Sequence, residues 1–238
     1  MIKGGYPEIW DQNLQPRKWM ASYLQTYVQR DVRLLRNITD LGQFTRFMML
    51  VANYTGQIIN REDIGRAIGV DNKTVLAWLG ILESSYIIYQ LQPWYYNLNK
   101  RIIKSPKLYF YDTGLLCYLL GIETEASLKK HPTYGAIFEN WVMTEIRKNR
   151  YNWGLAGGMY YFRYSAGNEV ALILEKNETI FALEIKAATR PDSSHFAGLK
   201  YWQKHARLSN GFVIGGGRGR FTPPSPFELL VWDEVADV

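Results

Sequence analysis

In the first third of the chain, apolar residues return at intervals of three and four. Within residues 17–38, "RKWMASYLQTYVQRDVRLLRNI", Trp19, Tyr23, Tyr27, Val28 and Leu34 share one side of a helix, and "LGQFTRFMMLVANYTG" continues the period to a glycine stop. The stretch "NREDIGRAIGVDNKTVLAWLGILESSYIIYQLQP" then predicts two short helices in succession. Ile64, Ala67 and Ile68 form the apolar face of the first, Gly69 allows a tight turn, and Asp71 or Asn72 caps a second helix carrying Val75, Leu76, Leu79 and Leu82. This is the spacing of a helix-turn-helix. Two strand-like runs, 86–92 and 107–112, read as a hairpin whose loop would be the wing of a winged helix.

A short apolar helix, "DTGLLCYLLG", leads into the polar stretch "ETEASLKKHPTYG", which places a domain boundary near residue 130. Beyond it the period changes. The pattern predicts a helix over 135–149, strands over 159–164, 169–175 and 179–186, a helix over 193–206, and strands over 211–215 and 227–232. The fold class expected is therefore α+β, with a helical linker and winged-helix domain over residues 1–130 and an α/β domain built on a mixed sheet over 131–238.

Composition adds limits. A chain of 238 residues with 47% hydrophobic residues, eight Trp and 17 Tyr is long and apolar enough for real cores. The sequence shows no apolar run of about 18 residues and no secretory leader pattern, so a cytoplasmic location without a membrane partner is expected. Cys117 sits among apolar residues as a small buried hydrophobe, and His131, His195 and His205 are too scattered for a zinc cluster. The net charge of +6 lies mostly in residues 1–120, which hold 14 basic against nine acidic residues. Within that half Lys100, Arg101, Lys104 and Lys107, with Tyr95 and Tyr96 nearby, suit phosphate contacts that do not read sequence, which makes DNA an expected partner. The second helix of the pair offers only Asn72 and Lys73 for groove reading, so packing of the winged helix on a neighbouring domain is an equally good reading.

The chemistry concentrates in "GNEVALILEKNETIFALEIKAATR", residues 167–190. Alternation along a strand puts Glu184 and Lys186 on one face and Leu183 and Ile185 on the other, toward the core. On the preceding strand Glu169, Ala171, Ile173 and Glu175 share a face opposite Val170, Leu172 and Leu174. Should the two polar faces coincide, Glu169 lies near Glu184 with Lys186 alongside. Carboxylates of this kind hold a hard divalent cation, and a lysine beside them positions water at a phosphodiester. An E-x-K on a strand is also common as a plain solvated face.

The order helix, three strands, helix, strand, with an acid on the first helix and E-x-K on the third strand, is similar to the core of PD-(D/E)xK nucleases. The matching positions are Glu139 in "GAIFENWVMTEI", Ala171 in "GNEVALILE", and Glu184 with Lys186 in "ALEIKAATR". Nearly the whole chain resembles a more specific group. The phrases "GGYPE", "YLQTYVQRDV", "NKTVLAWLGILESSYIIYQLQPW", "SPKLYFYDTGLLCYLLG", "AIFENWVMTEI" and "GNEV" are similar to the uncharacterised C-terminal region that follows an AAA+ type ATPase module in many bacterial and archaeal ATP-binding proteins. That resemblance implies a winged helix joined to a nuclease-like domain, with magnesium held at Glu184 and Glu139. Two departures qualify it. The family's second strand usually reads E-V-D, and this chain has Ala171 at the aspartate position. No G-x-x-x-x-G-K-[ST] is present, and "GGGRGR" at 215–220 lacks the lysine and hydroxyl that would reach phosphates and magnesium. The chain thus reads as a C-terminal fragment whose ATP would belong to a preceding ATPase module, its nuclease-like domain impaired by Ala171. Two alternatives stand beside that reading: an active magnesium-dependent DNA nuclease in which Glu169 supplies the ligand, and a protein-interaction module that keeps the nuclease fold for its shape.

Overall fold

A computed structural model describes residues 1–32, 38, 40–94, 105–155, 157–163, 169–176, 179–189, 192–206, 211–217, 223, 226–232 and 235, the side chains of residues 176, 193, 205 and 206 excepted. Lys100, Arg101 and Lys104 of the expected wing, Tyr95 and Tyr96, and the end of "GGGRGR" lie outside the described residues. The chain is α+β and divides into two compact units: Met1–Gln90 with Leu108–Ile137, and Leu91–Lys107 with Phe138–Val238.

The first unit opens with α1 (Pro7–Asp11) and α2 (Pro16–Thr26), each started by a proline whose missing N–H costs a first turn nothing. The periodicity of residues 17–38 predicts one continuous helix. The α-helix instead stops at Thr26, and the backbone widens into a π-helical turn over Tyr27–Val32, with Trp19, Tyr23 and Tyr27 stacked in a row at 5.2 and 6.4 Å between ring centroids. Helix α3 (Leu41–Ala52) starts where the Asp40 carboxylate accepts from the Gln43 N–H, and it buries Phe44, Phe47, Met48 and Val51.

The expected helix pair follows. Helix α4 (Arg61–Ile68) is capped by the Asn60 side chain and ends on Gly69 at φ 80°, a left-handed conformation that glycine adopts without strain. Helix α5 (Asn72–Ser84) starts at Asp71, whose carboxylate accepts from the Thr74 N–H at 2.6 Å. The turn between them is tight, since a methyl at Gly65 would lie 2.7 Å from the Val70 carbonyl oxygen. Val75, Leu79 and Leu82 are buried as the spacing requires, whereas Leu76, expected on the same face, is 53% exposed; Trp78 and Ile81 fill the core beside the others. Strands β1 (Ile88–Leu91) and β2 (Lys107–Phe110) pair, and residues 55–57 run along β2 through Gly56 N–H to Leu108 O (2.7 Å) and Leu108 N–H to Gln57 O (3.1 Å). Helices α6 (Thr113–Leu119), capped by Asp112, and α7 (Glu125–Lys130), capped by Thr124, complete this unit, with Cys117 buried and its thiol pushed up to about 12 by that burial.

The second unit is built on α8 (Tyr134–Asn152), whose residues from Phe138 onward belong to it, and a five-stranded sheet in the order β3 (Met159–Arg163), β4 (Glu169–Lys176), β5 (Thr179–Lys186), β6 (Gly211–Gly215), β7 (Glu228–Val231). The first two pairings are antiparallel and the last two parallel, so β5 returns to β6 through a 3-10 turn (Ser193–Phe196) and α9 (Ala197–Ala206). Every element predicted beyond residue 134 is present in that order. Phe196, Leu199 and Trp202 pack with Ile173, Ala182 and Val213 to form the core. The Arg150 guanidinium, near the end of α8, donates to Gly157 O at 2.8 Å and to Glu175 O at 3.1 Å, which ties the helix to β4. Both ends of the stretch 91–107 attach to β3 at one residue: Tyr161 donates its N–H to Gln92 O (3.0 Å), accepts from Trp94 N–H (2.6 Å), and donates its hydroxyl to Ser105 O (2.9 Å). Among the described residues no helix is long and apolar enough to cross a membrane.

Candidate functional site

The site lies where the β4–β5 ladder runs out. The paired positions extend from Lys176 and Thr179 to Leu172 and Leu183; just past them the Ala171 N–H donates to the Glu184 carboxylate, at 3.4 Å, in place of a strand partner. This brings Ala171 and Glu184 together. On β5 the side chains alternate, but both faces are covered. Leu183, Ile185 and Glu184 are all buried, Glu184 to 6% exposure, so the face carrying Glu184 is covered at that residue.

Lys186, two residues on and on the same face, sets its ammonium 2.7 Å from Glu184 Oε1 and keeps part of its side chain in solvent. Burial pushes the Glu184 carboxyl up to about 7 against the pull of Lys186, with the nearby Glu139 charge adding to the rise and the Ala171 N–H opposing it. Burial works on Lys186 in the opposite sense, yet Glu184, Glu139 and Glu169 together hold it above the ordinary lysine range. Glu139, contributed by α8, is thus close enough to both β5 groups to shift them.

The sequence reading missed a further cation. Lys107, expected as part of a basic wing touching phosphates, is the first residue of β2 and is only 3% exposed. Its ammonium lies 3.4 Å from Glu139 Oε1, pairs directly with Glu169 Oε1, and sits 5.7 Å from the Tyr161 ring centre. Burial alone would lower its pKa; the charges of Glu139 and Glu169 outweigh that and raise it. It is therefore an interior ion-pair lysine and not a surface phosphate contact. A lysine opening the strand "KLYFYD" was the available signal, because a charge inside an apolar strand needs a partner. Arg163 was also missed. It stands opposite Glu169 in the β3–β4 register, with its Nε 3.9 Å from Glu169 Oε2. A strand over 159–164 was legible, but its register against β4 was not.

Of the remaining predicted residues, Lys73 is exposed at the start of α5, in the other unit. His131 and His195 serve local turns, accepting through Nδ1 from the N–H of Thr133 and of Asp192.

The resemblance implied magnesium at Glu184 and Glu139. Among the described residues no group of three or more His, Cys, Asp or Glu is arranged to hold a metal. Glu139, Glu169 and Glu184 each face a lysine, and Ala171 supplies no oxygen from its side chain. This donor set does not fit a divalent ion, which needs several converging oxygens.

Fold and site together define an α+β protein of two units, the second holding a buried carboxylate and lysine cluster at the edge of a strand ladder. The chain belongs to the family described as domain of unknown function DUF8612, which matches residues 1–126, and residues 134–225 match a second domain of unknown function, DUF4143. It is similar to the uncharacterized proteins Mb2031c of Mycobacterium bovis and Rv2008c of Mycobacterium tuberculosis, each 29% identical over 195 residues, or 81% of this chain. Those 195 residues are 43% of the relatives' length, so the chain spans less than half of each. Among solved structures, protein VC1899 from Vibrio cholerae aligns over 98% of this chain and 56% of its own, at 11% identity and a TM-score of 0.34.

Proposed function

We propose that this chain acts as the C-terminal region of an AAA+ type ATP-binding protein, a winged helix joined to a PD-(D/E)xK-like unit that contacts duplex DNA without cutting it. The observation that carries the reading is the grouping of Glu139 and Lys186 about Glu184, from the first helix and third strand of the second unit, with the Ala171 N–H donating to the Glu184 carboxylate. These are the positions where the nuclease core keeps its acids and lysine, and the one residue that differs removes a carboxylate. The winged-helix part of the reading is supported by the α4–α5 pair, its Gly69 turn, and the two-stranded sheet with residues 55–57 alongside.

One observation favours a different occupant for the first unit. The exposed face of α5 presents Lys73, Leu76, Gly80 and Glu83, so an apolar middle lies between one cation and one anion. Such a face suits a protein neighbour, the preceding ATPase module foremost, better than a phosphate backbone.

Fluorescence anisotropy with a labelled duplex separates the two. Under the DNA reading the chain binds weakly, without sequence preference, and with affinity that falls as salt rises. Changing Lys100, Arg101 and Lys104 together to Ala weakens binding and lowers the salt slope by up to about 2.7, which is about 0.9 for each phosphate left without its cation. No cleavage accompanies binding in magnesium or manganese. A triple variant that binds as well as the parent removes the wing from the interface, and efficient cleavage by the unaltered chain establishes the nuclease alternative.

A further inference from the structure

We propose that Lys107 takes the place of a divalent cation in the carboxylate cluster, so that the site is complete without metal. A metal bound by carboxylates requires their oxygens free and aimed at one point. Here most of the oxygens already face donors. Oε1 of Glu139 and Oε1 of Glu169 both meet the Lys107 ammonium, the other oxygen of Glu169 faces Arg163 Nε, and the two oxygens of Glu184 face Lys186 and the Ala171 N–H.

The Lys107 ammonium is not a passing surface group. Its side chain is 4% exposed. Its strand position follows Ser105, whose carbonyl accepts from the buried Tyr161 hydroxyl, and the Tyr161 ring flanks the ammonium. A lysine held this deeply persists only where carboxylates compensate it, and the same carboxylates would be uncompensated without it. The dependence is mutual. To enter, a metal would have to expel an ammonium that is itself buried against the two carboxylates. A buried methyl at Ala171 agrees with this arrangement, because it adds no further negative charge to the site.

The inference concerns the same cluster as the proposed function but needs no nucleic acid, so its failure and the failure of DNA contact are read separately. The test uses the whole chain, with manganese as the probe ion, followed by calorimetry and by thermal unfolding in chelator. The unaltered chain is expected to give no saturable manganese heat and no shift of its unfolding midpoint. Lys107→Met exposes the carboxylates to one another: its midpoint falls in chelator and rises when manganese is added. The triple variant Lys107→Met, Glu139→Gln, Glu169→Gln removes all three charges together, recovers most of the loss, and ignores manganese. Stoichiometric manganese binding by the unaltered chain that disappears in Glu139→Gln overturns the proposal, as does a triple variant no more stable than Lys107→Met. Should Lys107→Met not fold at all, the triple variant decides alone: folded, it supports the exchange of cation for charge; unfolded, it refutes it.

Discussion

Glu184 is a carboxyl held inside a protein beside one lysine, and its behaviour follows from which influence is larger. Burial outweighs the ion pair, and its pKa rises from the ordinary 4.5 to about 7. Between those values the folded chain keeps a proton that the unfolded chain has released, so the folded state binds more protons and stability falls as pH rises through the window. The contribution is fully present below 4.5 and is lost by about 7. At 1.36 kcal/mol for each pKa unit the full change is on the order of 3 kcal/mol. Glu184→Gln keeps the shape and removes the titration. Urea unfolding from about pH 5 to about pH 8 should therefore show a declining stability in the parent and a flatter profile in Glu184→Gln. Parallel profiles would mean that Glu184 ionises as freely in the fold as outside it.

Among elements, the contact between α9 and β4 is the most demanding in the second unit. Gly198, in the first turn of α9, lies directly over the backbone of Glu169, and a methyl there would run into the Glu169 carbonyl oxygen. Its helical backbone is ordinary for any residue; what requires glycine is the approach of a helix to a strand. Gly198→Ala forces the two apart, and since the atom met is backbone, little can yield. A loss of about 1 to 3 kcal/mol is expected in chemical denaturation. The displaced strand also carries Glu169, so the alanine variant should weaken the Lys107 pairing and increase amide exchange at β4. An alanine variant as stable as the parent would show that α9 can lift from β4 without cost. Control is available at Gly80 on α5, where an added methyl meets nothing within 4 Å.

Across the whole molecule the charge and the motifs give different instructions. The excess of +6 favours anionic partners in general, yet nucleotide binding needs a loop whose backbone N–H groups and lysine surround phosphates. Neither the glycine run after β6 nor any other stretch supplies G-x-x-x-x-G-K-[ST]. Isothermal titration of the chain with ATP and magnesium should give no saturable heat in the micromolar range. Tight binding there would mean that this chain itself holds a nucleotide site, and the separate ATPase module would lose its place in the proposed function.

Local rules were enough for much of this protein. Periods of three to four and of two located the helices and strands after residue 134, and Gly69 and Asp71 marked the helix pair, because each of these depends on neighbours in the chain. Covalent spacing could not decide the rest. Whether Glu184 faces water or interior depends on the layers packed over the sheet, and only the tertiary structure buries both faces of β5. The width of the helix at Tyr27–Val32 and the outward turn of Leu76 are set by packing that helical period does not encode. Lys107 is the sharpest case. Its sequence neighbours Lys100, Arg101 and Lys104 suggested a basic surface, but Lys107, two residues past the Ser105 carbonyl that accepts from Tyr161, pairs with two carboxylates 32 and 62 positions away. A charge finds its counter-ion through space, and the chain order is silent on which one it will be.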